Sequence, residues 1–270
     1  MTRVGLLFPG EMGALVAAAA RADVLWASEG RSQATALRAE TAGLRDTGTL
    51  AALAQGSEVV LSICPPAIAE EVARAVAEAG FRGIYVEGNA ISPARAEGIA
   101  DGLAPAGIRM VDGAIIAGTA LNLYLSGSVE EVERVAELFQ GSAVSAIPLE
   151  GGVGAASALK MAFGGWNKIG VALVAQAYAI AREYGVEEAL AAEGVESDRL
   201  PTAGRKAWRW VGEMEEVAAT CERLDLPGEL ARGAAQLYER WAIHRDEVVP
   251  VEQLLDELGQ VPGVRAAREP

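Results

Sequence analysis

The chain has 270 residues, 51% hydrophobic and 22% charged, with a formal net charge of −14. It is long enough to bury a substantial core and too apolar to be largely disordered, while its acidity leaves no basic stripe for a nucleic-acid partner. Two distant cysteines, Cys64 and Cys221, and one histidine, His244, exclude a disulfide framework and argue against a structural zinc site; this usage fits a reducing, cytoplasmic compartment.

The opening residues read as a strand and turn rather than a signal peptide. The apolar run 14–20 is too short to cross a membrane. In chain order the patterning predicts a strand at 3–8, a helix at 10–22, a strand at 23–27, a helix at 32–42 and a strand at 58–62. An amphipathic helix at 67–79 follows, then a strand at 83–87, a helix at 93–106, and strands at 110–112 and 123–126. A helix at 129–140 and a short strand at 143–148 close the series. Strands alternating with helices of this length predict a parallel sheet with helices on both faces, a Rossmann-type α/β domain over residues 1–150. The character changes at Glu150-Gly151-Gly152-Val153-Gly154. Beyond it come only helical segments: a long one at 155–184 with Gly185 as C-cap, then 201–224, 228–243 and 251–258, punctuated by Pro227, Pro250 and Pro262. Residues 151–270 are therefore expected to form an all-α domain joined to the first by that long helix.

Phe8-Pro9-Gly10-Glu11-Met12-Gly13 lies where the first strand turns into the first helix, the context a dinucleotide fingerprint requires. Gly10 would let the backbone approach a pyrophosphate and Gly13 would let the helix pack closely on the strand. Phe8 replaces the first glycine of G-x-G-x-x-G, so a plain tight turn is the competing reading. The second strand ends in Ser28-Glu29-Gly30-Arg31-Ser32. Glu29 suits a ribose 2′-hydroxyl; Arg31 and Ser32, at the next helix N-terminus, suit a 2′-phosphate. NADP(H) is favoured over NAD(H), against the plainer possibility that Arg31 is solvated and Ser32 only caps the helix.

The order of these segments resembles the β-hydroxyacid dehydrogenase and 6-phosphogluconate dehydrogenase superfamily, in its small members with a short helical C-terminal domain. The resemblance runs through Pro9–Gly13, Ser62-Ile63-Cys64-Pro65-Pro66, Glu87-Gly88-Asn89-Ala90-Ile91-Ser92-Pro93 and Val111-Asp112-Gly113. It continues in Leu123-Tyr124-Leu125-Ser126-Gly127, in Gly151-Gly152-Val153-Gly154 leading to Lys160, and in Ala207-Trp208-Arg209-Trp210 with Glu213-Met214-Glu215. It implies hydride transfer between a nicotinamide and a carbinol carbon, a homodimer built through the helical domain, and Lys160 as general acid/base. The residues support that role: Lys160 is flanked by Ala156, Leu159, Met161 and Phe163, with no carboxylate three or four residues away to pair with it. Lys168, roughly 80° around the helix, is expected to be a bystander.

Three positions depart from the family pattern. Gly164 stands where an asparagine is usual, and Asn167 lies two turns beyond Lys160. Ile116-Ala117-Gly118 offers no hydroxyl for a substrate carboxylate, leaving Thr119 as a substitute, and the stretch 119–122 is shortened. Asn89, a further substrate or ribose candidate, could equally serve an Asx-type turn. Cys64 is read as a small packed residue beside the cofactor, with Pro65 in the same loop as a further cofactor contact. His244 is read as a satisfied or solvated histidine, and Trp208, Trp210 and Trp241 as filling the helical core or a subunit interface. An imine reductase on the same fold, or a non-catalytic nucleotide-binding regulator, are the competing functions.

Overall fold

The computed structural model describes residues 1–259; Pro262 and the end of the expected helical domain lie outside the described residues. The chain divides into two compact units that part at Met161 and Ala162.

In the first unit β1 (Arg3–Leu6), α1 (Glu11–Ala19), β2 (Asp23–Trp26), α2 (Gln33–Thr41), β3 (Arg45–Asp46), α3 (Leu50–Gly56) and β4 (Val59–Ser62) follow one another. Then come α4 (Ala69–Glu78), β5 (Ile84–Glu87), α5 (Pro93–Leu103), β6 (Arg109–Ala117), β7 (Leu121–Ser126), α6 (Val129–Glu137), β8 (Val144–Pro148) and the start of α7 (Ala155–Tyr184). The eight strands form one sheet in the order β3-β2-β1-β4-β5-β6-β7-β8. Its central strands carry unbroken apolar runs, Val59-Val60-Leu61 and Ile84-Tyr85-Val86, because helices cover both faces. Leu6, Leu61, Val86 and Val111 pack on one face with Val16, Val135 and Phe139. On the other, Val60 and Tyr85 pack with Leu53, Val76 and Ile99. The strand order reverses between β1 and β4, which is where open α/β sheets bind ligands, beyond the carboxyl ends of the strands.

The expected Rossmann sheet and the all-helical region after it are both present, with local differences. β6 runs nine residues rather than three and pairs antiparallel with β7, from Asp112↔Ser126 to Ala117↔Leu121. Only residues 118–120 separate them, too few for a parallel crossover. β3 and α3 escape the patterning because β3 is a two-residue exposed edge strand and α3 is short. Thr49 nonetheless caps α3, its hydroxyl accepting from Ala52 N at 3.2 Å.

The described residues of the second unit contain helices only: the rest of α7, α8 (Glu187–Ala192), α9 (Leu200–Arg223), α10 (Glu229–Trp241) and α11 (Val251–Gly259). Gly185, at φ +68°, ends α7 in the left-handed conformation a C-cap needs. α8 buries none of its residues, which is why no periodicity marks it. The core closes around Trp241, whose Nε1 donates to Leu254 O at 2.9 Å, and Tyr238, whose hydroxyl donates to Lys168 O at 2.7 Å. Gly204 lets Leu254 pack closely here, since a Cβ would meet its side chain at 2.7 Å. Among the described residues no helix is long and apolar enough to cross a membrane.

Candidate cofactor and catalytic site

The β1–α1 turn is tight: Gly10 N donates to Phe8 O at 2.8 Å. The two glycines do different work. A Cβ on Gly13 would meet the backbone oxygen of Phe8 at 2.4 Å, so only glycine lets α1 sit this close to β1. A Cβ on Gly10 would meet nothing within 4 Å, so that position faces open space. Gly10 is also the N-cap of α1 and supplies no side chain to its first amides. Helix donors left without a local cap, beneath an unobstructed glycine, fit a dinucleotide pyrophosphate. Pro9 is buried, Met12 half-buried against the core, and Glu11 points outward.

After β2 the chain is held by Asp46, whose Oδ1 accepts from Ser28 N at 3.1 Å and Gly48 N at 2.8 Å; those donors keep its carboxyl below the usual range. Ser32 caps α2, its Oγ accepting from Thr35 N at 3.3 Å. Arg31 lays its guanidinium over the Phe8 ring at 3.9 Å, so the residue replacing the first glycine is the platform that places Arg31 beside the turn. Glu29 is exposed. Arg38, which the sequence reading did not single out, donates through Nε to Pro9 O at 3.0 Å and through Nη2 to Thr35 Oγ1 at 3.2 Å. It lies one turn inside α2, and only contact with the glycine turn distinguishes it from a surface arginine.

In one row across the next four strands, Ser62, Glu87, Asp112 and Ser126 are register partners in turn, and each is fully buried. This polar row organises the loops above it. Asn89 N donates to Glu87 Oε1 at 3.0 Å, Asn89 Nδ2 donates to Ser62 Oγ at 3.3 Å, and Cys64 N donates to Asn89 Oδ1 at 2.5 Å. The Asn89 amide is thus turned inward and ties the loop after β4 to the loop after β5. Pro65 is exposed beside it. Burial, with the Glu87 charge behind it, pushes the Cys64 thiol up to about 11, so it is no thiolate nucleophile near neutrality. Burial likewise raises the Glu87 carboxyl to about 8.

Lys160 lies in the second turn of α7, and its Nζ donates to Ile115 O. Ile115 extends three residues past Asp112, the last β6 residue paired with β5. The amine therefore sits on the carboxyl side of the parallel strands, the side on which the β1–α1 turn opens. Thr119 is exposed in the 118–120 hairpin, whose Gly118 N donates to Ala120 O at 3.0 Å. In the helical unit Asn167 Oδ1 accepts from Arg199 Nη2 at 2.6 Å. Lys168 is buried, 2.8 Å from Glu213 and 5.5 Å from the centre of the Trp210 ring. It is therefore a structural partner of Glu213 rather than an indifferent neighbour of Lys160. His244 is buried against both Glu257 oxygens at 2.8 and 2.7 Å, the satisfied rather than the solvated of its two expected roles. No group of three or more metal-ligating side chains occurs among the described residues.

The domain of unknown function DUF1932 matches residues 181–241, inside the helical unit. No curated protein matches the chain by sequence. Solved structures do. A conserved protein of unknown function, described as similar to 3-hydroxyacid dehydrogenases, is 25% identical with a TM-score of 0.67, over 90% of this chain and 98% of its own. The 3-hydroxyisobutyrate dehydrogenase of Mycobacterium tuberculosis is 15% identical with a TM-score of 0.74, over 96% and 100%. An imine reductase variant from Myxococcus stipitatus, solved with NAD+, is 21% identical with a TM-score of 0.54, also over 96% and 100%. The resemblance read from the motifs holds in three dimensions: the chain has the fold of the 3-hydroxyacid dehydrogenases, with the DUF1932 domain in its helical unit.

Proposed function

We propose that this protein is a cytoplasmic NADP(H)-dependent oxidoreductase. It interconverts a small hydroxy acid, or a related alcohol, and the corresponding ketone, with Lys160 as general acid/base. The observation that carries the reading is the placement of Lys160. Its amine lies on the carboxyl edge of the sheet, shared with a glycine turn whose uncapped helix donors fit a pyrophosphate. Bound there, a nicotinamide would supply or accept the hydride. In the reducing direction the Lys160 ammonium gives a proton to the carbonyl oxygen, and in the oxidising direction the neutral amine takes it from the hydroxyl. The bond to Ile115 O fixes where the amine stands while it waits for substrate.

Residues 8–13 would hold the phosphates, with Ser28, Arg31 and Ser32 at the adenosine 2′-phosphate and Cys64, Pro65 and Asn89 framing the nicotinamide. Arg31 supports NADP(H), because a guanidinium preorganised on Phe8 loses little freedom on meeting a phosphate. Thr119 and Asn167 are the remaining substrate candidates. Residues 1–150 thus serve as the cofactor domain and 151–270 as the substrate and dimerisation domain. A homodimer is supported by the exposed stripe Trp166, Leu173, Ile180 and Tyr184 along α7, beside Leu230 on α10. A row of large apolar side chains at such helical spacing suits a second copy of the same surface.

Imine reduction is the second reading, favoured by the hairpin after β6, which offers no hydroxyl before Thr119. Measuring NADPH and NADH oxidation with keto acids, simple ketones and cyclic imines separates the two. Turnover of keto acids with NADPH supports the first, and turnover confined to imines replaces it.

A further inference from the structure

The N-terminus of α7 is capped from a distance. Of its first amides, Ala155 N donates to Gly152 O at 3.2 Å, within the local loop. The others reach into the sheet. Gly154 N and Ser157 N both donate to Asp112 Oδ2, at 2.9 and 2.8 Å, and Ala156 N donates to Ser126 Oγ at 2.9 Å. The Ser157 hydroxyl donates to Asp112 Oδ1 at 2.7 Å, and the Ser126 hydroxyl to Oδ2 at 3.4 Å. One carboxylate with no exposed surface thus gathers four donors from β7 and from the helix start. Glycine suits position 154, where φ is +101°, a conformation that other residues rarely adopt.

A serine or aspartate at the helix's own N-cap would satisfy the same donors at the surface, without burying a charge. What the longer route adds is a fixed relation between helix and sheet. Lys160 follows Ser157 by one turn, and its Nζ is received by Ile115 O, three residues along β6 from Asp112. A single strand therefore fixes both the root of α7 and the tip of the lysine.

We propose that Asp112, assisted by Ser157 and Ser126, is a positioning residue that aims Lys160 by anchoring the first turn of α7 to β6. This rests on Lys160 being the acid/base group. The neighbouring groups are consistent with it. Glu87 is Asp112's register partner on β5, and as a neutral acid it would set no second charge against the carboxylate.

The test uses Asp112→Ala, Asp112→Asn, Ser157→Ala and Lys160→Ala in the full-length protein. It reads kcat and KM on the best substrate, the Kd for NADPH, and the rate at which trinitrobenzenesulfonate labels Lys160, followed by peptide mass spectrometry. A misplacement of about an ångström costs on the order of 10²-fold in rate. Asp112→Ala should lose kcat on that scale while the Kd for NADPH stays within about twofold, and Lys160 should label several-fold faster. Asparagine offers the same shape and acceptor, so Asp112→Asn should recover most of kcat and the slow labelling. If Asp112→Ala does not fold, Ser157→Ala, which gives up only the hydroxyl bond to Asp112 Oδ1 and keeps the backbone bond to Oδ2, should show the same changes in smaller measure. Wild-type kcat and labelling in folded Asp112→Ala, or in Ser157→Ala where alanine at 112 fails to fold, overturns the proposal. An active Lys160→Ala would instead sink the acid/base reading, and labelling alone would then judge the anchor.

Discussion

Glu87 should make the folded protein less stable as pH rises, and Glu87→Gln should remove that dependence. The side chain is fully buried on β5; its Oε1 accepts from Asn89 N, while Oε2 and the nearby Tyr85 hydroxyl have no hydrogen-bond partner among the described residues. Burial first, and the Asp112 charge among the lesser causes, raise its carboxyl from an ordinary 4.5 to about 8. Below the lower value both folded and unfolded chains hold the proton, and nothing is lost. As pH rises the unfolded chain releases it first, so stability falls until the folded group ionises near pH 8, and is flat beyond. At 1.36 kcal/mol per pKa unit, the loss is about 3 kcal/mol at pH 7 and about 5 kcal/mol at pH 9. Glutamine keeps the acceptor for Asn89 N and never ionises. After roughly 1 kcal/mol for burying the extra amide donor, Glu87→Gln should be the more stable protein by about 2 kcal/mol at pH 7 and more at pH 9. The two should be nearly equal, or reversed, at pH 4.5. Denaturant titrations followed by circular dichroism at these three pH values measure the gap. A gap that is constant across them, or widest in acid, would refute the reasoning.

Other consequences can be measured separately. Arg31→Ala should weaken NADPH binding by about 2 kcal/mol, the scale of a charge-assisted contact, and leave NADH nearly unchanged; equal losses in calorimetry would point to Glu29 instead. The two turn glycines should split: Gly13→Ala, pressed on a backbone oxygen, should destabilise by roughly 1–3 kcal/mol. Gly10→Ala should melt like wild type yet lose at least about tenfold in cofactor affinity, because its methyl enters only the space proposed for the pyrophosphate; unchanged affinity would move the phosphates elsewhere. Leu173→Glu with Ile180→Glu should convert a dimer to monomers in sedimentation at micromolar concentration, and a wild-type monomer would remove the dimer from the account.

Much of this was readable in the chain. The alternation of buried runs with amphipathic helices gave the sheet, and Gly151–Gly154 marked where strands stop, because unbroken apolar runs and 3.6-residue periods are strong local signals. β3, α3 and α8 carried no such signal, being short and little buried. β6 read as three residues because Gly113 interrupts its pattern, while its antiparallel partner is set by a hairpin of three residues. In the site, Gly10, Gly13 and Lys160 stood out by type and position. Arg38, Glu87 and Asp112 did not become candidates, since their significance lies in contacts 25 to 45 residues distant or in register across strands. No window of sequence reports that Asp112 caps a helix beginning over forty residues later.

The most direct test of the central claim is single-turnover reduction of the best keto substrate by NADPH-loaded wild type and Lys160→Ala, with the NADPH Kd of both. General acid/base groups contribute about 10²–10⁴-fold. The account predicts a loss in that range for Lys160→Ala, with cofactor affinity within about twofold of wild type. Near-normal turnover by the folded, cofactor-bound variant would contradict it.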